Sequence, residues 1–433
     1  MTPENTVLYN EKHVTLQEAL SRIQAGDIVC GGQYASEPML AYRHMHEIAD
    51  RVHDVTFWCG IMAEDYPFVM ESQYADTFHF LSYFYGPQLR RIHARGNSDY
   101  IPCNLRHMGQ LMVDSHRPNV FMGVATPPDE DGYVTMFPSM QSEYEVVQNA
   151  DKRIFEINPA CPHVEGALRW HLSEIECCYD SDLPLHALAD PSFGEDERKV
   201  GENVAALIND GDVLQFGIGR IPNALVAALQ DHKHLGIHTE MLGTALVNLT
   251  KGGIVDNSRK TLEPGRAVFA FTYGSGEAYA YLDNDKRFLN YPANKCNDPS
   301  VIAQNDNMVS VNTAIEVDLS GQICSESVGT RLISGTGGSI DFAMGAFYSK
   351  GGRGVVAFSS TAKNGEASRI KPVLTPGAAV SIHRNYADYI VTEYGAAQLR
   401  NATLRERAER LIAIAHPKFR EELRAEARKY GIL

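Results

Sequence analysis

The stretch from Gly211 to Gly243, GDVLQFGIGRIPNALVAALQDHKHLGIHTEMLG, carries the residue types and spacing that could do chemistry. Gly217 and Gly219 leave a backbone without side chains. Pro222 suits the start of a helix, where its missing N–H has no partner to lose. A glycine loop opening a helix presents free N–H groups, and the positive end of the peptide dipoles, to an anion. LGIHTEM then reads as a short strand ending in His238, Thr239 and Glu240. A carboxylate there could meet whatever the anion carries. Pattern alone leaves the plainer reading open. A G-x-G before a helix is more often a tight turn. Pro222 stands where a dinucleotide loop has its third glycine, and a lone glutamate at a strand end is usually solvated.

These residues need elements to position them. VLQFGI is short, apolar and bounded by glycine, as a buried strand should be, and NALVAALQ continues as a helix. The same order occurs near the N-terminus. ALSRIQAGDIVCGGQYASEPMLA and ENVAALINDGDVLQFGIGRIPNALVAAL both run amphipathic helix, Gly-Asp, apolar strand, glycine turn, helix. Two similar α/β halves are therefore expected, 1–185 and 199–433, joined near DLPLHALADPSFGEDERKV. Whether the sheets are parallel or mixed stays open at this level.

Between these landmarks, Thr15 caps a first helix, and Glu37-Pro38 starts another through MLAYRHMHEIADRV. VTFWCGIM and DKRIFEIN are strand candidates, and NVFMGVATPPDEDGYVTM is strand, sharp turn, strand. In the second half MVSVNTAIEVDLSGQI alternates, with Ser320-Gly321 between two arms. ISGTGGSIDFAMGAFYS is a glycine loop leading into a helix, with Gly335, Gly337 and Gly338 a second bare backbone. LRERAERLIAIAHPKFREELRAEARKY is a helical pair broken at His416-Pro417.

The chain has 433 residues, 44% of them hydrophobic, and a formal net charge of -15. That surface does not favour nucleic acid or anionic membranes, so a phosphate-bearing ligand must be held by local Lys, Arg or helix N-termini. No apolar run is long enough for a membrane span, and MTPENTVLYNEKHV lacks a signal-peptide core. Eight scattered cysteines without C-x-x-C suit reduced thiols in the cytoplasm, and the histidines show no metal-ligand spacing. No metal is expected.

GIGRIPNAL, GIHTEMLG, CNDPSVIAQ, VNTAIEVDLSGQI, GTGGSIDFAMGA, ADYIVTEYG and IAHPKFREEL resemble the acetyl-CoA hydrolase/transferase family, nearest its 4-hydroxybutyrate and butyrate CoA-transferase branch. TPPDEDGY is similar to a signature of the same family. The resemblance runs along nearly the whole chain. It implies two similar open α/β domains of the NagB/RpiA/CoA-transferase-like type, and a homo-oligomer. It also implies transfer of CoA between short-chain C2–C5 acids such as 4-hydroxybutyrate, butyrate and acetate. Coenzyme A is then a cosubstrate, acyl-CoA and carboxylic acids are the partners, and no cofactor stays bound.

The resemblance further implies a ping-pong mechanism with Glu240 as the nucleophile. Asn297 and the Gly338 N–H form its oxyanion pocket. CoA is contacted by Gln215, Phe216, Gly217, Ile218, Gly219, Ile315, Gly338 and Lys363. A carboxylate nucleophile makes chemical sense, since the acyl group it becomes is as activated as the thioester it replaced. Glu240 must be ionised to begin, so donors are expected beside it. Taken without the family, Asn297 in C-N-D-P is turn chemistry, Lys363 is a solvated lysine, Ile315 is core, and Glu37-Pro38 is a helix start.

Arg220 departs from relatives that carry a small residue there. It could pair with a CoA phosphate, face solvent, or bind the distal carboxylate of a dicarboxylic acid such as succinate or itaconate. A thioester hydrolase using the same glutamate is the alternative activity.

Overall fold

The computed structural model describes all 433 residues, Met1–Leu433. The chain divides into two compact units. One comprises Met1–Leu188 with Ala270–Asn294, and the other Ala189–Phe269 with Lys295–Leu433.

The first unit is built on seven strands: β1 (Ile28–Gly31), β2 (Val55–Trp58), β3 (Phe78–Ser82), β4 (Ser98–Tyr100), β5 (Val120–Ala125), β6 (Lys152–Ile157) and β7 (Cys177–Asp180). Their order is β4-β3-β2-β1-β5-β6-β7, and every pairing is parallel. All six residues of β5 are buried, which is the continuous apolar strand expected of a parallel sheet covered on both faces.

In the second unit, six strands of its sheet are β8 (Val213–Phe216), β9 (Gly236–Leu242), β10 (Met308–Asn312), β11 (Arg353–Ala357), β12 (Tyr389–Thr392) and β13 (Gly395–Gln398). They run β9-β8-β10-β11-β12-β13, parallel except for the edge hairpin β12-β13. Both units share one device. The strand after the Gly-Asp turn is flanked on one side by the next strand and on the other by a later one, as β8 is by β9 and β10. Open parallel sheets bind ligands at such a switch point, beyond the carboxyl ends of the strands. The expectation of two similar α/β units is borne out, and the sheets are parallel with one antiparallel edge.

Two local readings are corrected. The charged run GEDERKV, read as linker, opens the helix Glu195–Ala205. Its three acidic residues face the positive helix start, and Glu197 accepts from the Gly194 N–H at 2.9 Å. The helix after Glu37-Pro38 is shorter than read: Met39–His44 is α-helical, and Met45–Ile48 tightens into a 3-10 turn after His44 at φ -106°, ψ 0°. The segment 315–324 folds as the expected hairpin, Glu316–Asp318 against Ile323–Cys324, with Gly321 at φ +95°. The C-terminal pair, Leu404–Ile414 and Arg420–Lys429, breaks at Pro417 as expected and buries Ala408, Leu411, Ile412, Leu423 and Ala427 in the second unit's core.

Candidate active site

Strand alternation puts His238 and Glu240 on one face of β9. The His238 ring is fully buried, while Glu240, nearer the carboxyl end of the strand, keeps partial access to solvent. Glu240 Oε2 accepts a hydrogen bond from Asn297 Nδ2 at 2.7 Å. The Gly338 backbone N–H donates to the same carboxylate. Gly338 is the N-cap of the helix Ser339–Tyr348, so the carboxylate also lies at the positive end of ten aligned peptides. Donors therefore stand beside Glu240 as expected. Burial works against them and wins, raising its pKa from 4.5 to about 7.

Each donor has a local reason to be available. In C-N-D-P the capping is done by Asp298, whose Oδ1 accepts from the Ser300 N–H at 2.7 Å at the head of Pro299–Ile302. The turn chemistry thus belongs to Asp298, and the Asn297 side chain is left to reach Glu240. At Gly338 a Cβ would lie 1.9 Å from Glu240 Oε2 and 2.1 Å from Asn297 Nδ2. Only glycine lets this backbone approach a carboxylate so closely.

A cleft of about 320 Å³ opens at the glycine loop that follows β8. It is lined by the loop and helix start Gly217–Pro222, by Val311, Asn312 and Thr313 at the end of β10, by Ala357, Ser359 and Arg369, and by Glu197. The loop leads into the helix Arg220–Ala228 from Gly219 at φ +124°, a conformation open to glycine. Ile218 is exposed, an apolar side chain at the cleft's edge.

The cleft carries two arginines. Arg369 is half-buried, and burial presses on its charge. Arg220 is largely exposed and loosely paired with Glu197, 3.7 Å away. Neither Arg369, Glu197 nor Asn312 was read from the sequence. Asn312 had the one usable signal, a polar residue ending the alternating strand MVSVN beside β8.

The remaining residues divide. Gln215 is buried at the end of β8, its amide paired reciprocally with that of Asn312 at 3.3 Å. Phe216 is fully buried in the sheet. The Ile315 N–H is already donated to the Cys324 carbonyl at 2.8 Å, leaving its half-buried side chain and carbonyl for any ligand. Lys363 is exposed at the turn of the hairpin Thr361–Ala362/Ala367–Ser368, at φ +52°, and does not line the cleft.

In the first unit, Glu37 is more than a helix start. It is buried, accepts from the Ala63 N–H at 3.1 Å and from the Tyr66 hydroxyl, and is pushed up to about 8 by burial. In TPPDEDGY, Asp129 Oδ1 accepts from the N–H groups of Asp131 and Tyr133, closing the turn between β5 and Tyr133–Thr135.

The chain matches the acetyl-CoA hydrolase/transferase N-terminal domain over residues 3–180 and the corresponding C-terminal domain over 274–427. It is 38% identical to the 4-hydroxybutyrate coenzyme A transferase of Clostridium kluyveri over 98% of each chain. The chain belongs to the acetyl-CoA hydrolase/transferase family. Like its relatives in that family it is an enzyme of the CoA-transferase class. It is also 37% identical to the succinyl-CoA:cyclohexane-1-carboxylate CoA transferase of Geobacter metallireducens, over 97% of this chain and 96% of that one. Among solved structures, RipA from Yersinia pestis superimposes with a TM-score of 0.93 at 34% identity, covering 99% of this chain and 100% of its own. The glycine loop and Glu240 lie between the two matched family domains, and the full-length relatives extend the similarity across that gap.

Proposed function

We propose that this enzyme moves CoA between short-chain carboxylic acids by way of a thioester on Glu240. The observation that carries the proposal is one carboxylate held between the Asn297 amide and the Gly338 N–H, on the strand paired with the one that leads into the glycine-loop cleft. In the proposed first step, the ionised Glu240 oxygen attacks the acyl-CoA carbonyl carbon, and CoA thiolate leaves. The product is a mixed anhydride of the acyl group and Glu240. The thiolate then attacks the Glu240 carbonyl carbon, and the acyl group departs as free carboxylate. That second attack places negative charge on the glutamyl oxygen that already faces Asn297 Nδ2 and the Gly338 N–H. Donors preorganised on such an oxygen contribute about 3–4 kcal/mol each to the transition state. An acceptor carboxylate reverses both steps, so atoms and charge balance without ATP.

In this reading the loop Gly217–Gly219, the helix start at Arg220 and Arg369 receive the phosphates of CoA, which a chain of net charge -15 must bind through local features. Gln215, Phe216 and Ile315 shape the floor behind them, and Lys363 touches CoA beyond the cleft rim. Acids of the 4-hydroxybutyrate, butyrate and acetate kind are the proposed substrates, supported by the relatives' names, and succinyl-CoA is a donor to test.

The deciding experiment incubates the protein with butyryl-CoA or succinyl-CoA, reduces it briefly with borohydride, and maps the peptides. Borohydride converts a glutamyl thioester to an alcohol, so a mass loss on the Glu240 peptide is expected. An unmodified peptide with both donors rejects the covalent intermediate. Partial exposure of Glu240 supports hydrolysis as a second reading. Stoichiometric release of CoA without an added acid would favour it.

A further inference from the structure

We propose that His238 is a positioning residue that sets the geometry of both donors on Glu240. This rests on Glu240 being the nucleophile. The inference comes from what the buried ring touches. Its Nε2–H donates to the Cys296 carbonyl at 2.8 Å, and Cys296 immediately precedes Asn297. Its Nδ1 accepts from Asn305 Nδ2 at 3.2 Å. These two bonds select one tautomer and orient the ring.

The ring also packs against Phe342, centroids 6.2 Å apart, on the helix that Gly338 caps. One side chain therefore braces the segment bearing the Asn297 amide and the helix bearing the Gly338 N–H, two residues behind the carboxylate they serve. Asn305 is anchored in turn, its carbonyl accepting from Ser349 Oγ at 2.6 Å at the far end of that same helix.

The ring serves as a fixed, uncharged brace. Burial and the nearby Lys260 push its pKa down to about 3, so it stays neutral through the working range. Lys260 itself is committed to the Ile237 and Arg266 carbonyls, at 2.7 and 2.6 Å. The Cys296 thiol donates to the Thr239 carbonyl at 3.2 Å and lies 3.9 Å from His238 Nε2. The Cys296–Asn297 turn thus hangs from β9 at three successive residues, the His238 ring, the Thr239 carbonyl and the Glu240 carboxylate, and of the two side chains His238 is the one that is not itself the proposed nucleophile.

The test compares His238→Leu, His238→Gln and His238→Asn in a CoA-transfer assay, normalised to folded protein, with Glu240→Ala alongside. Leucine fills the space without a donor. Glutamine can place an N–H where Nε2 was, whereas asparagine reaches only the Nδ1 position. Displacement of reacting groups by about 1 Å costs up to ~100-fold. The expected result for leucine is a fall in kcat of about 10- to 100-fold with KM for acyl-CoA changed less than about twofold. Glutamine should recover most of kcat and asparagine should not. Unchanged kcat in His238→Leu, or equal losses in Gln and Asn that merely follow thermal stability, would overturn the proposal. Should the leucine variant not fold, the Gln and Asn pair decides. Activity surviving in Glu240→Ala rejects the nucleophile reading itself, whatever His238 does.

Discussion

Glu240 and Asn297, fifty-seven positions apart, are joined by one 2.7 Å hydrogen bond from the Asn297 amide to the carboxylate. Removing the amide leaves the carboxylate with one donor in a setting that disfavours its charge. Asn297→Ala is expected to lower kcat by about 10²–10³-fold, the usual loss for one preorganised donor. Steady-state kinetics with butyryl-CoA and acetate check this. A loss confined to KM would mean that Asn297 only binds substrate.

Gly338→Ala should be nearly as severe, for a steric reason. Its methyl would fall 1.9 Å from Glu240 Oε2 and 2.1 Å from Asn297 Nδ2, so both side chains must move. The backbone at φ -100° accepts alanine without strain, which predicts a folded protein of near-normal melting temperature and little activity. Circular dichroism and the transfer assay read the two effects separately.

Burial raises Glu240 from 4.5 to about 7, and the reaction needs its ionised form. In the free enzyme kcat/KM should therefore rise with pH through an apparent pKa near 7, and Asn297→Ala should move that limb upward. Stability runs the other way. A folded-state pKa above the unfolded one means the fold takes up a proton between 4.5 and 7. The favourable contribution is present at acid pH and lost as pH rises through 7. Glu240→Gln should be more stable than the parent at pH 8 by on the order of 1–2 kcal/mol, allowing for the carboxylate's partial solvation. Near pH 4 the difference should vanish. Denaturant titrations at the two pH values check it.

Arg220 lines the glycine-loop cleft and pairs loosely with Glu197, whereas the carboxylate of Glu240 has other partners. A role with CoA phosphate predicts that Arg220→Ala raises KM for acyl-CoA about fivefold, the worth of roughly 1 kcal/mol, alike for acetate, butyrate and succinate as acceptors. A loss restricted to succinate or itaconate would instead place the guanidinium on a distal carboxylate. Lys363→Ala, at an exposed turn, should change KM less than Arg220→Ala does.

Much of the fold was legible because its signals are local. Gly-Asp turns, short apolar runs and proline-opened helices marked β1, β8 and the helices after them, and their recurrence announced two similar units. The run GEDERKV was misread because acidic residues belong equally to linkers and to the first turn of a helix. Within the site, Glu240, Asn297 and Gly338 were reached through resemblance. Spacing alone offered only a lone carboxylate, a turn asparagine and one glycine among several.

By itself the sequence determined which groups are available: a glycine loop before a helix, a glutamate ending a strand, glycines bare enough for close approach. Backbone propensity and hydrophobic period act over a few residues, and a reader of the chain sees them directly. Only the tertiary structure decided which groups meet. It put Asp298 on the cap and so left Asn297 for Glu240, brought Gly338 within a methyl's width of that carboxylate, and placed Arg369 in the same cleft as Arg220. It also set the charge of Glu240, because a carboxyl's pKa depends on the solvent excluded around it, and that is decided by segments distant in the chain.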